Sequence, residues 1–140
     1  MPDLKQIMDN LMLISSAMRD INTQLTASRF DTLKLLKTQG AMNLSQLAKQ
    51  RKVKMSSMSV MMDQLLKDGS VIKARSKSDR RQHVYIINRK GTTLLSEDIA
   101  QMQTRLESIL SDYDHQQLAQ FDDLVQSISS KLIKGIATNG

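Results

Sequence analysis

The chain has 140 residues, 40% of them apolar, and its 20 lysines and arginines against 14 aspartates and glutamates give a formal net charge of +6. This length is sufficient for one domain with its own hydrophobic core. The sequence has no cysteine, which excludes disulfides, thiolate metal ligands and cysteine nucleophiles. No apolar run approaches the ~20 residues of a membrane-spanning helix, and no basic segment followed by an apolar stretch opens the chain. We therefore expect a cytoplasmic protein without a membrane partner.

The positive charge is concentrated in the middle of the chain. Between Lys49 and Lys90, twelve lysines and arginines stand against three aspartates, a net charge of +9, which leaves −3 for the rest. A cationic segment between weakly acidic flanks is typical of a polyanion-binding region. A merely solvated basic surface is the alternative at this point.

Both ends of the chain carry apolar residues at helical spacing. They recur every three or four positions in segments 4–21, 94–110 and 118–133, which predicts three amphipathic helices. The stretch SDYDHQQ, with Ser111, Asp112 and Asp114 as possible caps, predicts the break between the last two. Each apolar face needs a partner. We expect a second copy of the chain to supply it, with packing inside one chain as the alternative.

Shorter helices are predicted in the middle. SRFDTLKLL begins with Ser28 as a predicted N-cap, with Asp31 three positions later, and ends before Gly40. NLSQLAKQ repeats the pattern with Asn43 and Gln46, and a further helix is expected to begin near Met55. Two short helices joined by so tight a turn have the spacing of a helix-turn-helix.

The stretch MSSMSVMMDQLL has four methionines in its first eight positions. Met58, Met61, Met62 and Leu65 recur at helical spacing and are predicted to face the core, because methionine is an adaptable core filler. A soft-metal site would need further converging ligands, and the two histidines lie in separate segments. We expect no metal site and no cofactor.

The opposite face of this helix carries small polar side chains. Ser56, Ser57 and Ser59 suit close approach to phosphates and base edges in a DNA major groove, with Lys52 and Lys54 adding cations just ahead. Serines alone do not distinguish this face from a plain solvent-exposed one.

A hairpin with a charged tip is predicted next. Gly69 ends the helix, and extended runs at 71–75 and 84–87 flank a polar tip with Lys77, Arg80 and Arg81. The one acid, Asp79, is expected to hold an arginine by a bidentate contact. Arginines at the end of a narrow hairpin suit a DNA minor groove. Asn88 is the predicted cap of the following helix.

Three motifs in this order resemble the MarR family of winged-helix regulators. They are LTASRFDTLKLL, LAKQRKVKMSSMSVMMDQLLKDGSV and SDRRQHVYIINRKG, which includes the family's Asp-x-Arg wing signature at Asp79 and Arg81. The likeness runs from about Leu25 to Leu95.

The resemblance implies a fold that is mainly α with a small β-hairpin wing. It implies a winged helix-turn-helix lobe over residues 26–91, with a supporting helix in 45–50, a recognition helix in 55–67 and a wing tip in 77–81, and dimerisation helices over 1–25 and 92–140. It further implies a homodimeric regulator of transcription, a repressor that binds a pseudo-palindromic operator in double-stranded DNA. Family members often bind small anionic or aromatic effectors between the lobe and the dimer helices. The DNA-contacting positions carried over are Lys52, Lys54, Ser56, Ser57, Ser59, Val60, Arg75, Lys77, Asp79, Arg80 and Arg81.

Several positions depart from the family pattern. Arg51 replaces a buried leucine, and we expect it to keep its stem on the core and its head in water. Lys52 replaces the turn glycine, and Lys54 replaces a serine cap, which predicts a shifted or frayed helix start. Val60 replaces a polar residue and suits contact with a thymine methyl.

Two other functional classes stay open. A winged helix also serves as a protein or RNA interaction module, and a basic surface also binds DNA without sequence preference. An enzyme is not expected, because the acids are scattered and no convergent polar site is recognisable.

Overall fold

The computed structural model describes residues 2–21 and 24–139, with side chains described as far as residue 135. Over these residues it has six helices and one antiparallel hairpin, which confirms the predicted mainly α fold. The elements are α1 (Leu4–Arg19), α2 (Ala27–Gln39), α3 (Leu44–Arg51), α4 (Met55–Lys67), β1 (Val71–Arg75), β2 (His83–Ile87), α5 (Arg89–Leu110) and α6 (His115–Asn139).

The chain divides into two compact units. The first, Met1–Gln103, contains α1 to β2 and most of α5, and the second, Thr104–Gly140, contains the end of α5 and α6. None of the described helices is long and apolar enough to cross a membrane.

The core lies in the first unit, between α2, α3, α4 and the hairpin. Leu33, Leu47, Met62 and Leu65 are each 1% exposed or less. Met58 is also buried, and Met61 is half-buried against the same cluster. The prediction that the methionine stripe faces the core is therefore confirmed.

Helix α2 begins one residue before the predicted cap. Thr26, not Ser28, is its N-cap: the Thr26 side chain accepts from Arg29 N at 3.2 Å, so the prediction for Ser28 was wrong. The physical reason is that Thr26 has extended backbone, which lets its hydroxyl reach the free N–H groups, whereas Ser28 already lies in the first turn.

Helix α3 begins with the predicted capping box. Asn43 Oδ1 accepts from Gln46 N at 2.8 Å, and Gln46 Oε1 accepts from Asn43 N at 2.9 Å. The two bonds satisfy two of the N–H groups that a helix start leaves unpaired.

The turn into α4 is made by Lys52 in a left-handed conformation, with φ of 55°. Val53 N donates to Ala48 O at 3.0 Å and Lys52 N to Lys49 O at 3.2 Å, the pair of bonds that closes a helix end of this type. Helix α4 then begins at Met55, and its N-cap Lys54 makes no side-chain capping bond. The expected shift of the helix start was wrong, because the backbone bond from Met58 N to Lys54 O closes the first turn and Met58 anchors it in the core.

The end of α4 leads directly into the hairpin. Gly69 has φ of 75°, Ser70 N donates to Leu65 O, and the strands pair from Val71 with Ile87 to Arg75 with His83. An isolated bridge between Met42 and Tyr85 adds a short third edge to this sheet.

The start of α5 is fixed against the same turn. Asn88 Oδ1 accepts from Gly91 N at 3.0 Å, which confirms the predicted cap, and Asn88 Nδ2 donates to Gly69 O. A Cβ on Gly91 would lie 2.2 Å from Ser70 O, so the backbones approach too closely there for any other residue. Asp114 caps α6 by accepting from Gln117 N at 2.8 Å, as predicted.

The terminal helices leave their apolar faces exposed in the single chain. Helix α1 has no buried residue, and Ile7, Leu11 and Ile14 are 41–52% exposed. In α6, Phe121 and Leu124 are 55% and 63% exposed. These faces therefore have the amphipathic pattern predicted for them, and within the described part of the chain their apolar side chains stay exposed.

Candidate nucleic-acid interface

The first group of predicted contact residues surrounds the start of α4. We call it the helix group: Lys52, Lys54, Ser56, Ser57, Ser59 and Val60. All are exposed except Ser59, which is half-buried, and the Val60 side chain is 58% exposed. The opposite side of the helix is held by the buried methionines, so the free face is turned outward by the core itself. Unpaired N–H groups and the positive end of the helix dipole add to the charge of the two lysines.

Helix α3 is held against α2 by Arg51. Its Nη1 lies 3.6 Å from Asp31 Oδ2, and its Nε donates to Thr32 Oγ1 at 3.3 Å. The expectation that its head lies in water was therefore wrong, since the Arg51 side chain is only 20% exposed. The reason is that two acceptors of α2 lie within reach of the guanidinium, the buried Thr32 hydroxyl and the Asp31 carboxylate.

The second group lies at the hairpin tip. We call it the wing group: Arg75, Lys77, Asp79, Arg80 and Arg81, all of them exposed. Arg75 Nη1 donates to Arg80 O at 3.0 Å across the tip. Ser76 N donates to Gln82 O at 2.9 Å, and Gln82 N to Asp79 O at 3.0 Å. These bonds give the tip a defined backbone.

Asp79 has a different partner from the one predicted. Its Oδ1 accepts from the backbone Arg81 N at 3.0 Å, and the described ion pairs contain no contact between Asp79 and a guanidinium. The expectation of a bidentate arginine contact was wrong, because an N–H two residues ahead is the nearest donor to an aspartate in a turn. Asp79 therefore orders the backbone that carries Arg81.

The charge of the two groups is strongly positive. Together they contain six basic residues and one acid, and the acid is engaged by a backbone N–H. Each group is brought together by its own element, the helix group by the start of α4 and the wing group by the hairpin. Both elements belong to the first unit.

Sequence reasoning missed the contacts that hold α4 in place. Arg29 Nη1 donates to Asp68 Oδ2 at 2.7 Å and Arg29 Nη2 to Gln64 Oε1 at 3.3 Å, while Lys90 Nζ donates to Asp68 O. Partners 22 to 39 positions apart leave no periodic signal in a sequence.

The buried Asp98 in α5 was also missed. It is 0% exposed, and its two oxygens accept from Gln24 N and Leu25 N at 3.0 Å each. A sequence signal existed, because Asp98 stands three positions after Leu95 and four before Met102, inside the apolar stripe of the helix. A carboxylate there must find donors in the interior.

Among the described residues, no group of three His, Asp or Glu side chains is arranged to hold a metal ion.

A comparison with protein families finds a match for the central segment of the chain. Residues 25–83 match the model of the MarR family, and these residues contain the helix-turn-helix and most of the wing. This central segment is therefore similar to the MarR family. This confirms the family resemblance predicted from the three sequence motifs.

Several solved structures share the fold over more than nine-tenths of the chain. A MarR family protein from Bacillus stearothermophilus has a TM-score of 0.84 at 18% identity, over 93% of this chain and 95% of its own. Apo wild-type MarR from E. coli has a TM-score of 0.77 at 14% identity, over 91% and 97%. FabT of Streptococcus pneumoniae in complex with DNA has a TM-score of 0.76 at 16% identity, over 94% and 99%. A comparison with curated proteins gave no match.

Proposed function

We propose that the chain is a homodimeric transcription regulator that binds double-stranded DNA at specific sequences. The observation that carries this proposal is the pair of exposed basic groups, helix and wing, on the segment that is similar to the MarR family. Lys52 and Lys54 precede the outward face of α4, and the wing group surrounds an ordered hairpin tip. FabT, which shares the fold, was solved in complex with DNA.

Helix α4 is proposed to enter the major groove. Its small serines allow close approach of the backbone to base edges, and the exposed Val60 suits contact with a thymine methyl. Lys52 and Lys54 are proposed to contact phosphates, which position the helix without reading sequence. Ser56, Ser57 and Ser59 are the candidates for base readout.

The wing is proposed to enter the adjacent minor groove. Arg80 and Arg81 follow Asp79 at the tip, and Lys77 precedes it, so the positive charge is greatest where the hairpin is narrowest. A narrow minor groove has enhanced negative potential and attracts inserted arginines. The bonds from Arg75 to Arg80 O and from Arg81 N to Asp79 reduce the entropy lost when the tip is ordered on DNA.

The terminal helices are proposed to form the dimer interface. The exposed apolar faces of α1 and α6 would be covered by a second copy, and segments 1–25 and 92–140 would form the dimer region around the lobe at 26–91. A two-fold dimer requires inverted half-sites about one helical turn apart. We propose that occupancy of such an operator represses transcription, and that a small molecule relieves it.

Selection of binding sites from a random duplex library tests the proposal. At near-physiological salt, we expect enrichment of an inverted repeat with half-sites about 10 base pairs apart, centre to centre. Retention of DNA without an enriched sequence would reduce the proposal to non-specific binding. Failure to retain DNA at low salt, with salt-insensitive binding of a protein partner, would favour an interaction module.

A matched pair of variants connects the result to the helix face. Ser57→Ala removes an exposed hydroxyl in the first turn of α4, whereas Ser45→Ala removes one near the start of α3, outside both basic groups. The first variant is expected to change the preferred base at one operator position, and the second to leave the selected sequence unchanged. An unchanged sequence for both would exclude Ser57 from base readout.

A further inference from the structure

We propose that the base of the wing holds one backbone phosphate of the bound DNA, at a site outside the helix and wing groups. A cavity of about 300 Å³ lies there, between the start of α3 and the hairpin. Lys73, His83 and Tyr85 line it from the strands, and Leu44 and Ser45 line it from α3. The phosphate comes from the DNA of the proposed function, on which this proposal rests.

The register of the hairpin brings the strand residues onto one face. Lys73 pairs with Tyr85, and Arg75 pairs with His83. Because side chains alternate along a strand, these two pairs lie on the same face of the sheet. Lys73 Nζ lies 5.7 Å from the centroid of the Tyr85 ring. Arg75 belongs to the wing group, so the cavity adjoins the wing group on that face.

The hydroxyl of Tyr85 indicates a ligand. Tyr85 is 5% exposed, and its backbone is held by Met42, with Tyr85 N donating to Met42 O at 2.8 Å. Within the part of the chain that the structure describes, the Tyr85 hydroxyl makes no hydrogen bond. Buried tyrosine hydroxyls usually have a partner, because a polar group without one loses the hydrogen bonds that it makes to water. An acceptor in the cavity that Tyr85 lines would supply this partner.

The start of α3 supplies further donors. The capping box uses the N–H groups of Asn43 and Gln46. Leu44 N and Ser45 N, which lie between them, have no acceptor among the described residues. Free N–H groups and the positive end of the helix dipole favour an anion. Both donors belong to the backbone, so Ser45→Ala retains them.

These donors together match a phosphodiester. They come from α3, from the Lys73 ammonium and from the Tyr85 hydroxyl, and no residue that lines the cavity is acidic. A phosphodiester carries a negative charge on two non-bridging oxygens, which accept charge-assisted hydrogen bonds from several directions. Ser45, Lys73 and His83 are exposed, so the cavity is open to a group that continues into a chain on both sides.

Such a contact positions the wing. Phosphate contacts fix the orientation of a protein on DNA without reading sequence. This one joins α3 to the hairpin through a single phosphate, so it sets the position of the wing relative to the helix-turn-helix when DNA is bound.

A scan with neutral phosphates tests the site. Operator duplexes from the library selection, each with one methylphosphonate in place of a phosphodiester, are titrated with the full-chain protein by fluorescence anisotropy. We expect one position in each half-site at which the substitution weakens binding of the parent protein but has little further effect on Lys73→Gln. Lys37→Gln, at an exposed lysine of α2, is the matched control and should respond like the parent protein. The absence of any position coupled to Lys73 would overturn the proposal.

Tyr85→Phe separates DNA binding from folding. It removes a hydroxyl that has no partner within the described residues, so the midpoint of urea unfolding should stay unchanged or rise. DNA affinity should fall about two- to tenfold, the range for one lost hydrogen bond. A fall in stability together with affinity would mean a structural role for the hydroxyl, and an unchanged affinity would mean that it contacts no phosphate. Either result would overturn its assignment.

Random-sequence duplexes distinguish this proposal from the proposed function. On them, Lys73→Gln should lower the slope of log affinity against log salt by about 0.9, the value for one phosphate. If this loss is found but no operator is enriched, sequence-specific regulation fails and the phosphate site stands. If the protein binds no DNA, both fail.

Inorganic phosphate provides a check on the source of the ligand. At constant ionic strength, it should shift the amide signals of Leu44 and Ser45 in the full chain more than chloride does. Such shifts without a methylphosphonate position coupled to Lys73 would mean that the site takes free phosphate only, and would overturn its assignment to DNA.

Discussion

Arg29 Nη1 lies 2.7 Å from Asp68 Oδ2, and this ion pair joins the first turn of α2 to the residue that ends α4. The same guanidinium donates to Gln64 Oε1, and Lys90 Nζ donates to the Asp68 carbonyl from the start of α5. The C-terminal end of the proposed recognition helix is thus contacted by side chains from two other helices. Its direction is fixed by these contacts as well as by the buried methionines.

Removal of the Arg29 contact is expected to destabilise the first unit modestly. The two side chains are 31% and 42% exposed, so solvent screening limits the pair to about 0.5–1 kcal/mol. A double-mutant cycle with Arg29→Ala and Asp68→Ala, measured by urea unfolding, should give a coupling free energy of that size. The looser pair of Arg51 and Asp31, at 3.6 Å, is the control and should show a smaller coupling. Equal couplings would mean that the 2.7 Å geometry has no energetic consequence.

Lys52 is expected to lower stability through its backbone. Its φ of 55° is left-handed, which costs a residue with a Cβ about 1 kcal/mol relative to glycine. Lys52→Gly should therefore raise the free energy of unfolding by about 0.5–1 kcal/mol, measured by urea denaturation. Lys52→Ala removes the same charge but keeps a Cβ, and should give no such gain. If both variants were equally stable, the left-handed turn would not be the cause.

Local patterns account for the part of the fold that the sequence predicts well. The capping box of Asn43 and Gln46 and the stripe of Met58, Met62 and Leu65 depend on residues three or four positions apart. Such spacings are visible in the sequence because a helix brings these positions together whatever the rest of the chain does. The bounds of α4 and the hairpin followed from the same kind of signal.

Long-range contacts account for most of the features of the fold that the sequence does not predict. The partners of Arg29 and Asp98 lie 35 to 74 positions away, and nothing local identifies them. The cap of α2 was misassigned for another reason, since Thr26 and Ser28 are equally good caps by residue type. The choice depends on which of them has extended backbone in the folded chain.

Asp98 is expected to be the most sensitive polar residue of the first unit. Asp98→Ala would leave Gln24 N and Leu25 N without their acceptor, and an unsatisfied buried N–H costs about 1–3 kcal/mol. The midpoint of urea unfolding should fall markedly. Asp98→Asn keeps one oxygen acceptor and should lose less. Glu97→Ala, at an exposed neighbouring position whose carboxylate accepts from Gln24 Nε2, is the control and should change stability little. A loss for Glu97→Ala as large as for Asp98→Ala would contradict this reading.

Arg81 is expected to contribute one charge contact to DNA. Under the proposed function, Arg81→Ala should weaken operator binding and lower the slope of log affinity against log salt by about 0.9, the value for one neutralised phosphate. Fluorescence anisotropy over a salt series measures both quantities. Lys37→Ala, at an exposed lysine in the last turn of α2, is the control outside the helix and wing groups. An unchanged affinity for Arg81→Ala would contradict the assignment of the wing.

Asp79 is expected to act on DNA binding through the backbone of the tip. Its Oδ1 accepts from Arg81 N at 3.0 Å, and an asparagine side chain retains an equivalent oxygen. Asp79→Asn should therefore keep the tip ordered and, with one negative charge fewer, bind DNA at least as tightly as the parent protein. Asp79→Ala removes the acceptor as well as the charge, so any loss of affinity relative to Asp79→Asn measures the ordering of the tip. Comparison of the two variants by anisotropy at one salt concentration, with backbone order parameters for residues 77–82, separates the two effects. If both variants lost affinity equally while the tip stayed ordered, the negative charge of Asp79 itself would be required for DNA binding. That result would favour the ion pair between Asp79 and an arginine that the sequence predicts.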